Sequence, residues 1–186
     1  GRLRDVRVIA GTRKGRGLLS PRWSGLRPTS DRLRGTLFDI LGPRIADVQL
    51  LDGCAGTGAI GLEALSRGAA HVTFVERDPR AATLIRRNVE LCEFADRCTI
   101  RCAEFMKSAR RLPKGFFDVV VLDPPYDASN IDEILTAAAE HVAPTGVLVL
   151  ERARRAEVDA APRLVSLRAV RAGDSVLEFF ELVTRG

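Results

Sequence analysis

From Val48 onward the chain alternates short apolar runs with segments of helical period, and that alternation commits it to a βαβ series. Runs at 48–52, 71–76, 99–102, 117–122 and 146–151 read as strands, and helices are predicted over 59–67, from 79 to about 93, over 104–111 and over 131–141. The strand runs are nearly all apolar, as in a parallel sheet covered on both faces. Pro79 suits the first turn of its helix, where a missing N–H costs nothing. The tail changes character. Runs at 163–171 and 176–183 flank Ala172-Gly173-Asp174-Ser175, which predicts an antiparallel hairpin. Ahead of Val48, 6–10 and 17–19 flank a polar turn and predict a smaller β-hairpin. Pro28-Thr29-Ser30-Asp31 then starts a helix, with Thr29 or Ser30 as N-cap, that runs to Leu41 and stops at Gly42-Pro43.

A chain of 186 residues has room for one domain plus a small appendage. No apolar run approaches the ~18 residues of a membrane-spanning helix, so no membrane role is expected. Gly1-Arg2-Leu3-Arg4-Asp5 leads into no apolar stretch of the secretory kind. Cys54, Cys92, Cys98 and Cys102 form no C-x-x-C pair, and two histidines supply a zinc site poorly. The cysteines read as reduced, packed thiols of a cytoplasmic protein, and no metal is expected.

Charge is unevenly distributed. Residues 1–44 hold eleven Lys and Arg against three Asp, a net +8, while the rest of the chain sums to −3. Arg outnumbers Lys 26 to 3, a bias that explains which base is used but not why acids are scarce in this segment. A cationic arm on a near-neutral body points to a polyanion, with Arg13, Lys14 and Arg16 in the 11–17 turn as leading contacts and Arg27 and Arg32 beyond it.

The first strand of the series runs into Asp52-Gly53-Cys54-Ala55-Gly56-Thr57-Gly58-Ala59-Ile60-Gly61, so Gly56, Gly58 and Gly61 match G-x-G-x-x-G. Glu76 ends the next strand 18 residues past Gly58, where an acid can hold ribose hydroxyls. Alone, this fits a dinucleotide fold. Two features turn it elsewhere. Asp52 beside the loop repels a pyrophosphate but favours a cationic ligand such as a sulfonium with its ammonium group. The fourth strand, moreover, runs straight into Asp123-Pro124-Pro125-Tyr126, which an open α/β sheet brings next to the glycine loop.

With these residues in hand the chain resembles the class I S-adenosylmethionine-dependent methyltransferases. Asp52-x-x-Ala55-Gly56-Thr57-Gly58 resembles their cofactor loop, and Asp123-Pro124-Pro125-Tyr126 resembles the [Asn/Asp]-Pro-Pro-[Tyr/Phe] motif of amino-group methyltransferases. Val8-Ile9-Ala10-Gly11, the stretch Gly25-Leu26-Arg27-Pro28-Thr29-Ser30-Asp31-Arg32-Leu33-Arg34 with Thr36-Leu37-Phe38, and Gly61-Leu62-Glu63-Ala64-Leu65-Ser66-Arg67 are similar to the bacterial RsmD family. Those enzymes methylate guanine N2 in small-subunit (16S) ribosomal RNA. The resemblance covers nearly the whole chain and is weakest at 152–165. It implies a Rossmann-like, mostly parallel sheet with a C-terminal antiparallel hairpin. The basic arm would occupy 1–28 and the methyltransferase domain 29–186. It further implies a monomer acting on RNA within the small ribosomal subunit or an assembly intermediate. The same four-residue motif also serves adenine N6 in DNA and glutamine side chains in protein.

The chemistry assigns roles. A guanine amine is planar because its lone pair is delocalised, so acceptors at its hydrogens, the Asp123 carboxylate and the Pro124 carbonyl, are needed to aim that lone pair at a methyl donor. Pro125 fixes the turn and Tyr126 offers a face for the base. On the cofactor side, Glu76 holds the ribose, Asp52 meets the amino-acid end, and Gly53, Ala55, Gly56, Thr57 and Gly58 let the backbone approach. Ala103, through its backbone, and Glu104 border the adenine.

Overall fold

The computed structural model describes residues 6–26, 29–125, 129–156, 158–159 and 161–183. Two short strands open it, β1 (Val6–Arg7) and β2 (Gly17–Leu18), followed by helix α1 (Asp31–Leu41). The α/β series comprises β3 (Gln49–Asp52), α2 (Ala59–Ser66), β4 (His71–Glu76), α3 (Pro79–Leu91), β5 (Cys98–Cys102), α4 (Phe105–Ala109), β6 (Phe117–Leu122), α5 (Ile131–Ala139) and β7 (Val142–Ala153). The hairpin β8 (Leu164–Ala172) and β9 (Ser175–Leu182) closes it.

Seven strands form one sheet in the order β5-β4-β3-β6-β7-β9-β8. The first five are parallel, and β9 runs antiparallel to both its neighbours. Successive side chains alternate between two cores. Leu50, Val119, Val121 and Val149 face α1, α2 and α3 through Leu33, Leu37, Leu62 and Ile85. Leu51, Val120, Leu122 and Leu150 face α4 and α5 through Phe105, Ile134 and Leu135. Chain direction across the sheet reverses between β3 and β6, so the carboxyl ends of those two strands bound the crevice where such sheets take ligands. Among the described residues no helix is long and apolar enough to cross a membrane.

The structure departs from the sequence reading at element ends. Ser30, not Thr29, caps α1, its Oγ accepting from Leu33 N at 3.1 Å. α1 ends at Leu41 as expected, with Gly42 as its C-cap, and a 3₁₀ turn over Gly42–Ile45 follows it. β7 is longer than the predicted 146–151, because Val142 already pairs with Phe117 and Arg152 and Ala153 pair with β9. The N-terminal hairpin is shorter than 6–10 with 17–19. The Ile9 and Ala10 amides turn from the partner strand to the Glu63 carboxylate, Ile9 N at 3.0 Å and Ala10 N at 3.3 Å. Val6, Val8 and Leu18 are buried in the same core as α1 and α2, so the hairpin is packed into the body.

Candidate active site

Asp52 ends β3 almost completely buried, with 1% of its surface exposed. Its Oδ2 accepts from Gly61 N at 3.3 Å, at the first turn of α2. Burial raises its carboxyl from 3.8 to about 7, opposed by the Gly61 N–H and reinforced by the Glu76 charge. The glycine loop that follows is stitched to both neighbouring strands: Gly53 N donates to Val121 O on β6 and Ala55 N to Val75 O on β4, each at 2.9 Å. Gly58 enters α2 with φ +79°, a conformation L side chains rarely adopt. A Cβ on Gly61 would stand 2.2 Å from the Phe74 ring, so glycine there lets α2 lie close on β4.

Glu76 spans this crevice. Its Oε2 accepts from Gly56 N at 2.7 Å and its Oε1 from Asp78 N at 2.9 Å, which fixes the carboxylate between the loop and the start of α3. Each oxygen keeps a further lone pair for a ligand hydroxyl. Ala103 N donates to Glu76 O at 3.0 Å, tying the end of β5 to the same point. Glu104 beside it is exposed and begins α4. On the other side of the loop, Asp123 leaves β6 half-buried, Pro124 is buried and Pro125 is exposed. Asp52, Glu76, Asp123 and the loop therefore converge at the carboxyl ends of three adjacent strands. Tyr126 and Arg27, both expected site residues, lie outside the described residues.

Sequence reasoning missed three contributors. Cys54, read as an inert packed thiol, sits between the two motifs. Burial first, then the charges of Asp52 and Asp123, push its thiol up to about 12, against a hydrogen bond from the Asp123 backbone. It is inert as a nucleophile, yet it joins the loop to the Asp123 turn. The segment after β2 is the second contributor. Leu19 exchanges hydrogen bonds with the Asn88 side chain, which also donates to Thr57 O at 3.4 Å. The third is a side wall. Leu26 lies 3.9 Å from where a Cβ on Gly56 would stand, and the Arg80 guanidinium stacks over Trp23 at 4.9 Å. Leu26 falls within the stretch that carries the family resemblance, whereas Trp23 carried no signal of its own.

The arm's basic turn is elsewhere. Thr12 N donates to Ser66 O and Arg13 N to Ser66 Oγ, at the C-terminal end of α2. Arg13 Nε donates to Cys92 O at 2.8 Å, and its guanidinium pairs with Glu93 at 3.1 Å, past the end of α3. Both helices run back from the site, so this turn belongs to the opposite end of the sheet. Arg13 is held inside the fold, while Lys14 and Arg16 are exposed. Arg32 is exposed on the first turn of α1.

Two buried carboxylates around a glycine cradle suit a cationic ligand that also carries hydroxyls, and a third carboxylate with a proline carbonyl suits an amine. Comparisons agree with that chemistry. The family model described as Conserved hypothetical protein 95 matches residues 6–181. A Haemophilus influenzae protein named Ribosomal RNA small subunit methyltransferase D is 39% identical over 141 residues, 74% of this chain and 72% of the relative. Among solved structures, the putative methyltransferase yhhF from Escherichia coli superposes with a TM-score of 0.83 at 30% identity, covering 97% of this chain and 99% of that one. An RNA methyltransferase from Salinibacter ruber in complex with S-adenosyl-L-homocysteine shares the fold at 19% identity and a TM-score of 0.64, covering 82% of this chain and 92% of that one.

Proposed function

The chain belongs to the family described as Conserved hypothetical protein 95, and from that premise we propose that it is an S-adenosylmethionine-dependent methyltransferase of ribosomal RNA. Its target is the exocyclic N2 amine of a guanine in the small-subunit (16S) RNA. The carrying observation is the joining of Asp123 to the glycine loop at the β3/β6 reversal, through Gly53 N to Val121 O and through Cys54. This agrees with the sequence resemblance to the RsmD family and with the Haemophilus relative's name.

S-adenosylmethionine, when bound, supplies a methyl group on a sulfonium already activated toward nucleophiles. Glu76 accepts from its ribose hydroxyls, Asp52 faces its amino-acid end, and the backbone from Gly53 to Gly58 approaches it closely. Ala103 and Glu104 border its adenine. The remaining task is the amine. Asp123 and the Pro124 carbonyl accept the two N–H groups, so the nitrogen lone pair is freed from the ring and aimed, and the positive charge that develops is stabilised. Tyr126 stacks on the base, worth about 1–3 kcal/mol. Swinging that base out of structured RNA costs a few kcal/mol. The enzyme works as a cytoplasmic monomer on the small subunit or an assembly intermediate, with its N-terminal hairpin packed into the catalytic body.

Labelled methyl transfer to small subunits, free 16S RNA, DNA and protein in parallel, followed by nucleoside analysis, tests this reading. N2-methylguanosine from RNA is the expected product. N6-methyladenine or methylglutamine would overturn the guanine assignment.

A further inference from the structure

We propose that Arg154, Arg155 and Arg171, at the carboxyl end of the sheet beside Asp123, form the surface that seats the RNA phosphates flanking the target base. This rests on the reading of the substrate as RNA. Strand register supplies the placement. Leu122 on β6 pairs with Leu150 on β7, so Asp123 and Glu151 leave the ladder side by side, and Arg154 and Arg155 follow within four residues. On the far side, Val176 of β9 pairs with Arg152 of β7 and with Arg171 of β8. Arg171 thus lies two strands from β7, ~10 Å across at the usual strand spacing.

The turn that presents Arg154 and Arg155 is pinned from below. Arg152 Nε pairs with Glu178 at 2.8 Å, and its Nη1 donates to Ala156 O at 3.1 Å. Arg152 is thereby neutralised and half-buried, a support for the turn. Arg154, Arg155 and Arg171 are exposed, and none of them makes an ion pair among the described residues. Of the acids nearby, Asp159 follows in the same segment and is exposed, and Glu151 is buried with its Oε1 accepting from Ser175 Oγ. Asp174 sits in the β8–β9 turn, while Asp132 and Glu133 occupy the first turn of α5, where they complement the helix's positive end. Guanidiniums suit the task because their planar fork binds phosphate oxygens in pairs.

The 11–17 turn cannot do this work, because it is fastened to the end of α2, eight residues and ~12 Å of helix from the glycine loop. Phosphates next to a base held at Asp123 are out of its reach.

The test compares wild type with the triple variant Arg154→Ala/Arg155→Ala/Arg171→Ala and with the corresponding triple Lys variant. Binding to protein-free 16S RNA is measured at several salt concentrations, alongside kinetics on small subunits. The alanine triple should raise KM tenfold or more with kcat nearly unchanged. It should also flatten the salt slope by about two, from ~0.7 per lost single-strand contact. Cofactor affinity and melting temperature should hold, and the lysine triple should recover most of the slope. An alanine triple with wild-type affinity and slope overturns the surface. Absence of RNA methylation by wild type refutes the proposed activity instead, and the binding data still decide the surface.

Discussion

Asp52 keeps a carboxyl in full burial with Gly61 N–H as its hydrogen-bond donor. Because its value rises from 3.8 unfolded to about 7 folded, the folded chain binds this proton more tightly. The stability it contributes is therefore complete below about pH 4 and is lost as pH climbs through 7. Asp52→Asn should gain on wild type by about 1.4 kcal/mol per pH unit between pH 5 and 7, read from denaturant melts. A cationic ligand reverses the demand, since it needs the carboxylate. Cofactor affinity should therefore rise with pH toward 7 in wild type and stay flat in Asp52→Asn, and parallel profiles in calorimetry would remove Asp52 from the cofactor site. Asp123 separates chemistry from binding. Asp123→Ala should cut methyl transfer a hundredfold or more while cofactor affinity stays within a few-fold, because its partner is the substrate amine. Tyr126→Phe should be milder than Tyr126→Ala. A fully active Asp123→Ala enzyme would be fatal to the mechanism.

Among the elements, the N-terminal hairpin depends on one side chain of another. Glu63 on α2 is 0% exposed; its carboxylate accepts from Ile9 N and Ala10 N and pairs with Arg67 at 3.3 Å. Glu63→Ala strands these donors, and a loss of about 3 kcal/mol is expected, together with faster proteolysis confined to residues 6–26. Uniform cleavage across the chain would show that Glu63 serves the core and not the hairpin. The same residue explains what the sequence left hidden. β4 and β6 have the bounds predicted for them because apolar runs covered on both faces are delimited by their own residue types. The first hairpin was overextended because strand patterning holds no sign that a carboxylate more than fifty residues away would take its amides. The ends of β7 depend on partners in β6 and β9. At the site, the glycine loop with Cys54, Glu76 and Asp123 were legible as motifs, whereas the Cys54–Asp123 contact, Asn88 and the Trp23–Leu26 wall were not, since only folding makes them.

Across the whole molecule, charge is divided between two ends of one sheet. Lys14 and Arg16 lie at the amino ends of the strands, and Arg154, Arg155 and Arg171 at the carboxyl ends. Strands of four to six residues put ~13–20 Å between them. Lys14→Ala/Arg16→Ala should therefore weaken binding to intact small subunits and lower its salt slope. It should leave a short RNA fragment bearing only the target site bound as by wild type. Equal effects on both substrates would mean that the turn reaches the site after all. Arg13→Ala should instead lower the melting temperature, because its guanidinium is spent on Cys92 O and Glu93. One feature of the sheet also governs how the chain comes into being. β9, the last strand in chain order among the described residues, is an inner strand, lying between β7 and β8. Until it has left the ribosome, β7 exposes a bare edge and β8 has no neighbour to pair with. A chain synthesised from its N-terminus can thus pair the five parallel strands first, whereas the β7 edge is covered and β8 is paired only once β9 has followed.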